Sequence, residues 1–263
     1  MTVITMSSPC ADEPYRLSNT VGRALHKLAK TLRDAVPDTE LVLRNATTDQ
    51  ELSIITGQQF SNSDALRWVY TQHKVMPHRL TADEREQFDE VLDQLRHLRQ
   101  GAHEYHIFFD VDGVAADFDR HYFEQFGTHY MLDGMEKMWS NIDGCTLYYS
   151  RQPVYPYFDE LFEAIAHLNP KFLTSCRTEH HVKCKRFWAN KEFDAGESLL
   201  PVLPNRHGVF DKTIHFHRDS VLIDDYEHNV QAWQGLGADA ISHHCVVETA
   251  TSLLHLLKDR HYE

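Results

Sequence analysis

Covalent and metal cross-links are scarce in this sequence: it has five cysteines (Cys10, Cys145, Cys176, Cys184, Cys245), an odd number with no C-x-x-C pair. Neither a disulfide framework nor a zinc ribbon is suggested, and a reducing compartment is the expected home. No apolar run reaches the length of a membrane span, and the opening MTVITMSSPCADEPYR lacks a basic segment followed by an apolar one. A cytoplasmic location and no membrane partner are therefore expected. Positive charge is also in deficit. With 26 Lys+Arg against 39 Asp+Glu, the formal net charge is −13, and an acidic surface repels nucleic acid and anionic lipid as default partners. Internal repeats and low-complexity tracts are absent too. What remains is globular composition, 42% apolar and 25% charged over 263 residues, enough for a real core in one or two domains. The 19 histidines are mostly protonated near the pI of 5.8, so solubility is expected to fall towards pH 6.

Periodicity divides the chain at about residue 101. Residues 1–15 read as a loose, polar terminus. Val21, Leu25, Leu28, Leu32 and Val36 recur at helical steps, which predicts a helix over Leu17–Val36 with Ser18 as its cap. A short apolar run at Leu41–Leu43 follows, then predicted helices near Asp49–Thr56 and Ser63–His73, and a clear one over Ala82–Arg99. The last opens on Thr81-Ala-Asp-Glu84, the spacing of a capping box, and Gly101 ends it. Residues 1–101 are therefore expected to form a mainly helical N-terminal region whose role is open. From 102 to 263, short apolar runs alternate with helical stretches, which predicts an α/β domain with a doubly wound parallel sheet. Its expected strands include Tyr105–Phe109, Lys171–Leu173, Val221–Ile223 and Ala240–Ser242. Most of the acidic excess lies in this second part.

The chemistry concentrates at the ends of those runs. His106-Ile-Phe-Phe-Asp110-Val-Asp112-Gly113 is a buried strand ending in two carboxylates, and in an extended segment residues i and i+2 address the same side. Two close carboxylates repel each other, and a hard cation such as Mg²⁺ relieves this. Ser220-Val-Leu-Ile-Asp224-Asp225 repeats the design. Lys171-Phe-Leu-Thr174-Ser175 ends instead in two hydroxyls suited to a phosphate, and Lys212 offers a point charge for a phosphoryl oxygen. Each feature alone is an ordinary turn or helix cap; the four in this order point to phosphoryl chemistry. The histidine pairs His180-His181, His215-x-His217 and His243-His244 bring no third ligand at a zinc-like spacing.

These residues resemble the haloacid dehalogenase superfamily of phosphotransferases, with Asp110-x-Asp112-Gly-Val, Thr174, Lys212 and Asp224-Asp225 as its four motifs. Within it, Asp110-Val-Asp-Gly-Val-Ala-Ala-Asp117-Phe118, Leu173-Thr-Ser175, Asp211-Lys-Thr213 and Leu222-Ile-Asp-Asp225 look most like the 5′(3′)-deoxyribonucleotidase branch. The likeness covers about residues 104–245, and nothing in residues 1–100 joins it. It implies a Rossmann-like core with a small, aromatic-rich helical cap inserted at about 119–156. It also implies Mg²⁺-dependent hydrolysis of a phosphomonoester, a nucleoside monophosphate above all. Asp110 would be the nucleophile and Asp112 the general acid and base. Thr174, Ser175 and Lys212 would bind phosphate. Asp110, Asp112 through its backbone carbonyl, and Asp224 would hold the metal, with Asp225 supporting them, and Phe118 would pack on the nucleobase. From the residues alone, Phe118 and Trp139 are candidates for substrate contact with packing under the cap and in the core as their alternatives. Cys176-Arg177 after Thr-Ser, and His215-Phe-His217-Arg218 before the last motif, depart from the family pattern and leave open which lysine serves as the third motif. Two further readings stay open, a phosphatase of 3′ or 5′ nucleic-acid ends and a non-catalytic nucleotide- or partner-binding module, as does a homodimer.

Overall fold

The structure, a computed structural model, describes residues 2–6, 40–45, 51–55, 80–99, 105–127 and 130–260. The chain divides into two units, one of Met1–Thr81 with Asp119–Thr146 and one of Ala82–Phe118 with Leu147–Glu263.

The first unit corrects part of the N-terminal reading. Strands β1 (Thr2–Met6), β2 (Glu40–Asn45) and β3 (Glu51–Ile55) form a sheet in the order β1-β2-β3, with β1 parallel and β3 antiparallel to β2. A strand thus stands where a loose terminus was expected, and another where a helix was expected near Asp49–Thr56. Thr2-Val-Ile-Thr is rich in β-branched residues, and Glu51-Leu-Ser-Ile-Ile has apolar positions that fit either period until pairing with β2 decides. The predicted helices over Leu17–Val36 and Ser63–His73 lie outside the described residues. The expected helical insertion is present as α2 (Phe118–Phe126) and α3 (Tyr130–Asp143), numbering helices from α1 (Ala82–His97). The Tyr122 hydroxyl, donating to Asp133 Oδ2 at 2.8 Å and accepting from Asn141 Nδ2 at 2.8 Å, ties α2 to α3.

Helix α1 was placed with the N-terminal region by sequence, yet it belongs to the second unit. Phe88, Val91, Leu92 and Leu95 bury one stripe, while Asp83 and Glu84 in the first turn and Arg96 and His97 in the last complement the helix dipole. The second unit is α/β, built on a five-stranded, all-parallel sheet. Its strands are β4 (His106–Phe109), β5 (Lys171–Ser175), β6 (Leu199–Val202), β7 (Ser220–Asp224) and β8 (Asp239–Ser242), in the order β6-β5-β4-β7-β8. That order has the chain entering at the centre and building outward first one way, then the other, as in a Rossmann-like sheet. Strand β6 was not expected from the sequence. Its Pro201 cannot donate to a ladder, which is tolerated because β6 is an edge strand.

Alternate residues carry the two faces. Phe108, Leu173 and Leu222 pack with Trp233 of α6 (Glu227–Gly235) on one side. Phe109 and Phe172 meet Phe158 and Phe162 of α4 (Phe158–Ala164) on the other, where Phe172 also reaches Trp188 of α5 (Glu179–Phe193). The ring stacking and edge contacts there add to area burial. Helix α7 (Val246–Asp259) closes the unit, capped by the Cys245 sulfur, which accepts from the Glu248 N–H at 3.4 Å. Among the described residues no helix is long and apolar enough to cross a membrane.

Between β8 and α7 lies His243, 3% exposed, with Nδ1 2.9 Å from Thr249 Oγ1 and Nε2 without a hydrogen-bond partner among the described residues. Burial, with the like charge of His244 adding to it, pushes its imidazole down to about 3. A folded value below the unfolded one near 6.5 gives stability that is present above pH 6.5 and lost as pH falls, by about 1.4 kcal/mol per unit, until the folded value is reached. Melting temperature should therefore drop between pH 7 and pH 5 by more in the native protein than in His243→Gln; equal drops would refute this account.

Candidate active site

Three adjacent strands deliver the chemistry to one edge of the sheet. Strand β4 is followed directly by Asp110, its neighbour β5 ends in Thr174-Ser175, and its other neighbour β7 ends in Asp224. The carboxyl ends of parallel strands near the point where strand order reverses are where open α/β sheets bind ligands. After Asp110 the chain curls tightly, the Val111 carbonyl accepting from the N–H groups of Ala115 at 3.0 Å and Ala116 at 2.7 Å. Gly113 makes this turn possible. Its φ is +82°, which strains any other residue, and a Cβ there would stand 2.2 Å from Asp225 Oδ2 and displace that carboxylate from the cluster.

Lys212 sits at the centre of the first cluster. It begins a single 3₁₀ turn, Lys212–His215, started by the Asp211 carboxylate accepting from the Thr213 N–H at 2.9 Å. Its ammonium lies 2.8 Å from Asp110 Oδ1 and 2.7 Å from Asp224 Oδ2. Burial opposes the charge on Lys212, but Asp110 and Asp224 outweigh it and hold the ammonium above its ordinary range. Asp224 is fixed further by the Tyr226 N–H at 2.9 Å and by Asn229 Nδ2 at 3.0 Å. Burial pushes the Asp110 carboxyl up to about 6, with Asp224 and Asp112 adding and Lys212 opposing.

The donor set fits a hard divalent cation. Carboxylate oxygens of Asp110, Asp224 and Asp225 all lie within 4.8 Å of one another. These three carboxylates face one buried ammonium, Lys212, which leaves negative charge for a cation to balance. Asp112 stands apart from the oxygen cluster. Its Oδ2 accepts from Lys185 at 2.6 Å and its Oδ1 from Gln152 Nε2 at 3.0 Å. Asp110 and Asp112, paired in the sequence reading, thus have different cationic partners, because the turn after Asp110 replaces the extended geometry assumed for i and i+2.

Lys185 and Gln152 are the residues that sequence reasoning missed. Lys185 lies on α5, whose start is capped by Thr178 Oγ1 accepting from the His181 N–H at 3.2 Å. The available signal was a lysine at helical spacing between Val182 and Trp188 on the buried stripe of α5. The remaining assignments are placed as follows. Thr174 is fully buried beside Lys185, and Ser175 gives its carbonyl to the same ammonium. Phe118, at the start of α2, has its ring 5.8 Å from Tyr148, which in turn lies 5.2 Å from Tyr149. Trp139 belongs to the first unit, half-buried on α3, and Arg177 is exposed.

Fold and site together define an α/β protein with a carboxylate- and lysine-rich centre at the carboxyl edge of a parallel sheet. Comparison with protein-family models and with curated proteins finds no match.

Proposed function

We propose that this chain is a Mg²⁺-dependent phosphomonoester hydrolase, with nucleoside monophosphates as its preferred substrates. The observation that carries the reading is the division of two nearby carboxylates between two cations: Asp110 with Lys212 beside Asp224, and Asp112 with Lys185. One loop thereby offers a nucleophile and a separate proton carrier. Support for a nucleotide comes from the resemblance to deoxyribonucleotidases and from the half-buried ring of Phe118 just after the Asp110 loop, since aromatic stacking accepts any base.

Asp110, Asp224 and Asp225 would hold the Mg²⁺, which when bound supplies positive charge that lets an anionic nucleophile approach a phosphate dianion. A carboxylate oxygen of Asp110 attacks phosphorus, forming the aspartyl-phosphate bond as the ester P–O bond breaks. The departing alkoxide keeps that electron pair and takes the proton held by Asp112. Water then attacks phosphorus, Asp112 accepts its proton, and the aspartyl bond breaks to return Asp110 and free phosphate. Lys212 and Ser175 face the phosphoryl oxygens and stabilise the charge spread over them in both transition states, with Thr174 buried behind them.

The test is phosphate release from deoxy- and ribonucleoside monophosphates, sugar phosphates and a phosphorylated oligonucleotide, each with Mg²⁺ and with EDTA. Metal-dependent release from nucleotides is expected, with EDTA removing at least about 99% of the rate. Release from the oligonucleotide alone would move the function to nucleic-acid ends, and silence across the panel would leave a binding module.

A further inference from the structure

We propose that Lys185 is a positioning residue that orients the proton-carrying Asp112 without touching the substrate. The inference rests on the phosphohydrolase reading and goes beyond it, because phosphate binding is the usual task of a lysine in such a site.

Proton counting excludes that task. An ammonium has three N–H donors and no acceptor. Those of Lys185 are committed to Asp112 Oδ2 at 2.6 Å, Thr174 Oγ1 at 2.8 Å and the Ser175 carbonyl at 3.0 Å. The Tyr149 ring, 4.6 Å away, lies against the charge, and the residue is 0% exposed. No donor remains for a phosphoryl oxygen, and water has no approach to compete for those in use. One of these bonds also sets the direction of Asp112. Its Oδ2 accepts from Lys185 at 2.6 Å and its Oδ1 from Gln152 Nε2 at 3.0 Å, so the carboxylate plane is held at both ends. On the phosphohydrolase reading, a single buried cation thereby fixes the orientation of the general acid and base.

Leaving-group dependence separates this role from phosphate binding. First-turnover release of nucleoside from a nucleoside monophosphate needs a proton from Asp112. Release of 4-nitrophenolate from 4-nitrophenyl phosphate does not, since that anion is stable by itself. Measured by rapid quench with Mg²⁺, Lys185→Met should lose about 100-fold in the first turnover of the nucleotide and less than about 5-fold in that of the aryl ester. Equal losses on both substrates, or no loss on either, would overturn the proposal. The variant should fold, because the Asp112 side chain is 27% exposed and water can solvate it once the ammonium is gone. If Lys185→Met nevertheless fails to fold, Gln152→Leu decides, with the same substrate asymmetry at smaller size expected and its absence counting against the proposal. Silence of the native protein on both esters would overturn the phosphohydrolase reading and this inference with it, an outcome distinct from activity without asymmetry.

Discussion

Asp110→Asn is expected to retain less than about one part in ten thousand of the native turnover while melting no lower than the native protein. The first half follows from the covalent route: an amide does not displace an alkoxide from phosphorus, so the two-step path closes and only uncatalysed attack by water remains. The second half follows from electrostatics. Burial pushes the Asp110 carboxyl up to about 6, which means that the folded protein disfavours its charge. A neutral amide of the same shape removes that cost and keeps an oxygen for the Val111 N–H, now at 2.7 Å, and for Lys212. Phosphate release and a melting curve check both at once. Retention of more than about 1% of the rate by a cleanly folded variant would sink the nucleophile assignment.

Lys212→Met should have the opposite signature, a large loss of stability together with loss of activity. The side chains of Asp224 and Asp110 are only 0% and 12% exposed, and each lies within hydrogen-bond reach of that one ammonium. Removing one member of a buried ion pair typically costs about 3–5 kcal/mol, because the charge left behind loses its counter-charge and keeps only neutral donors, here the Tyr226 and Val111 N–H groups and Asn229. In metal-free buffer the variant should therefore melt well below the native protein. Mg²⁺ should then raise its melting temperature by more than it raises the native one, since a divalent ion supplies the counter-charge the lysine no longer provides, and a ligand of the native state stabilises by mass action. A variant that melts like the native protein, with or without Mg²⁺, would show that Lys212 does not hold these carboxylates together.

The acidic ends of β4 and β7 were legible in the sequence because a buried parallel strand is a continuous apolar run, and a carboxylate ending such a run is visible without knowing the neighbours. Thr174 was legible for the same reason, lying within a short strand, and Lys212 through the order of the motifs along the chain, since it stands in a 3₁₀ turn between β6 and β7. Lys185 and Gln152 were not. Their bonds to Asp112 span 73 and 40 residues, and only the folded packing of α5 and of the segment after the helical insertion brings them there. Strand β6 was hidden by Pro201, which reads as a breaker until the strand is known to lie at an edge. The strands at Thr2–Met6 and Glu51–Ile55 depend on pairing with Glu40–Asn45, so local preference alone left them ambiguous between periods.

With Lys212 lodged between Asp110 and Asp224, the centre would, on the proposed reading, take up a cation as an ion exchanger does rather than as an open cup. An arriving divalent ion competes with an ammonium for oxygens that are already in use, and its net attraction is the difference between two large interactions. Selectivity in such a centre comes from charge density more than from cavity size: a monovalent ion of similar radius offers nothing the ammonium does not already give, whereas a doubly charged one does. On the proposed reading, an ion that took these oxygens would leave Lys212 N–H donors for a phosphate, so that loading the cation and preparing the anion site would be one event.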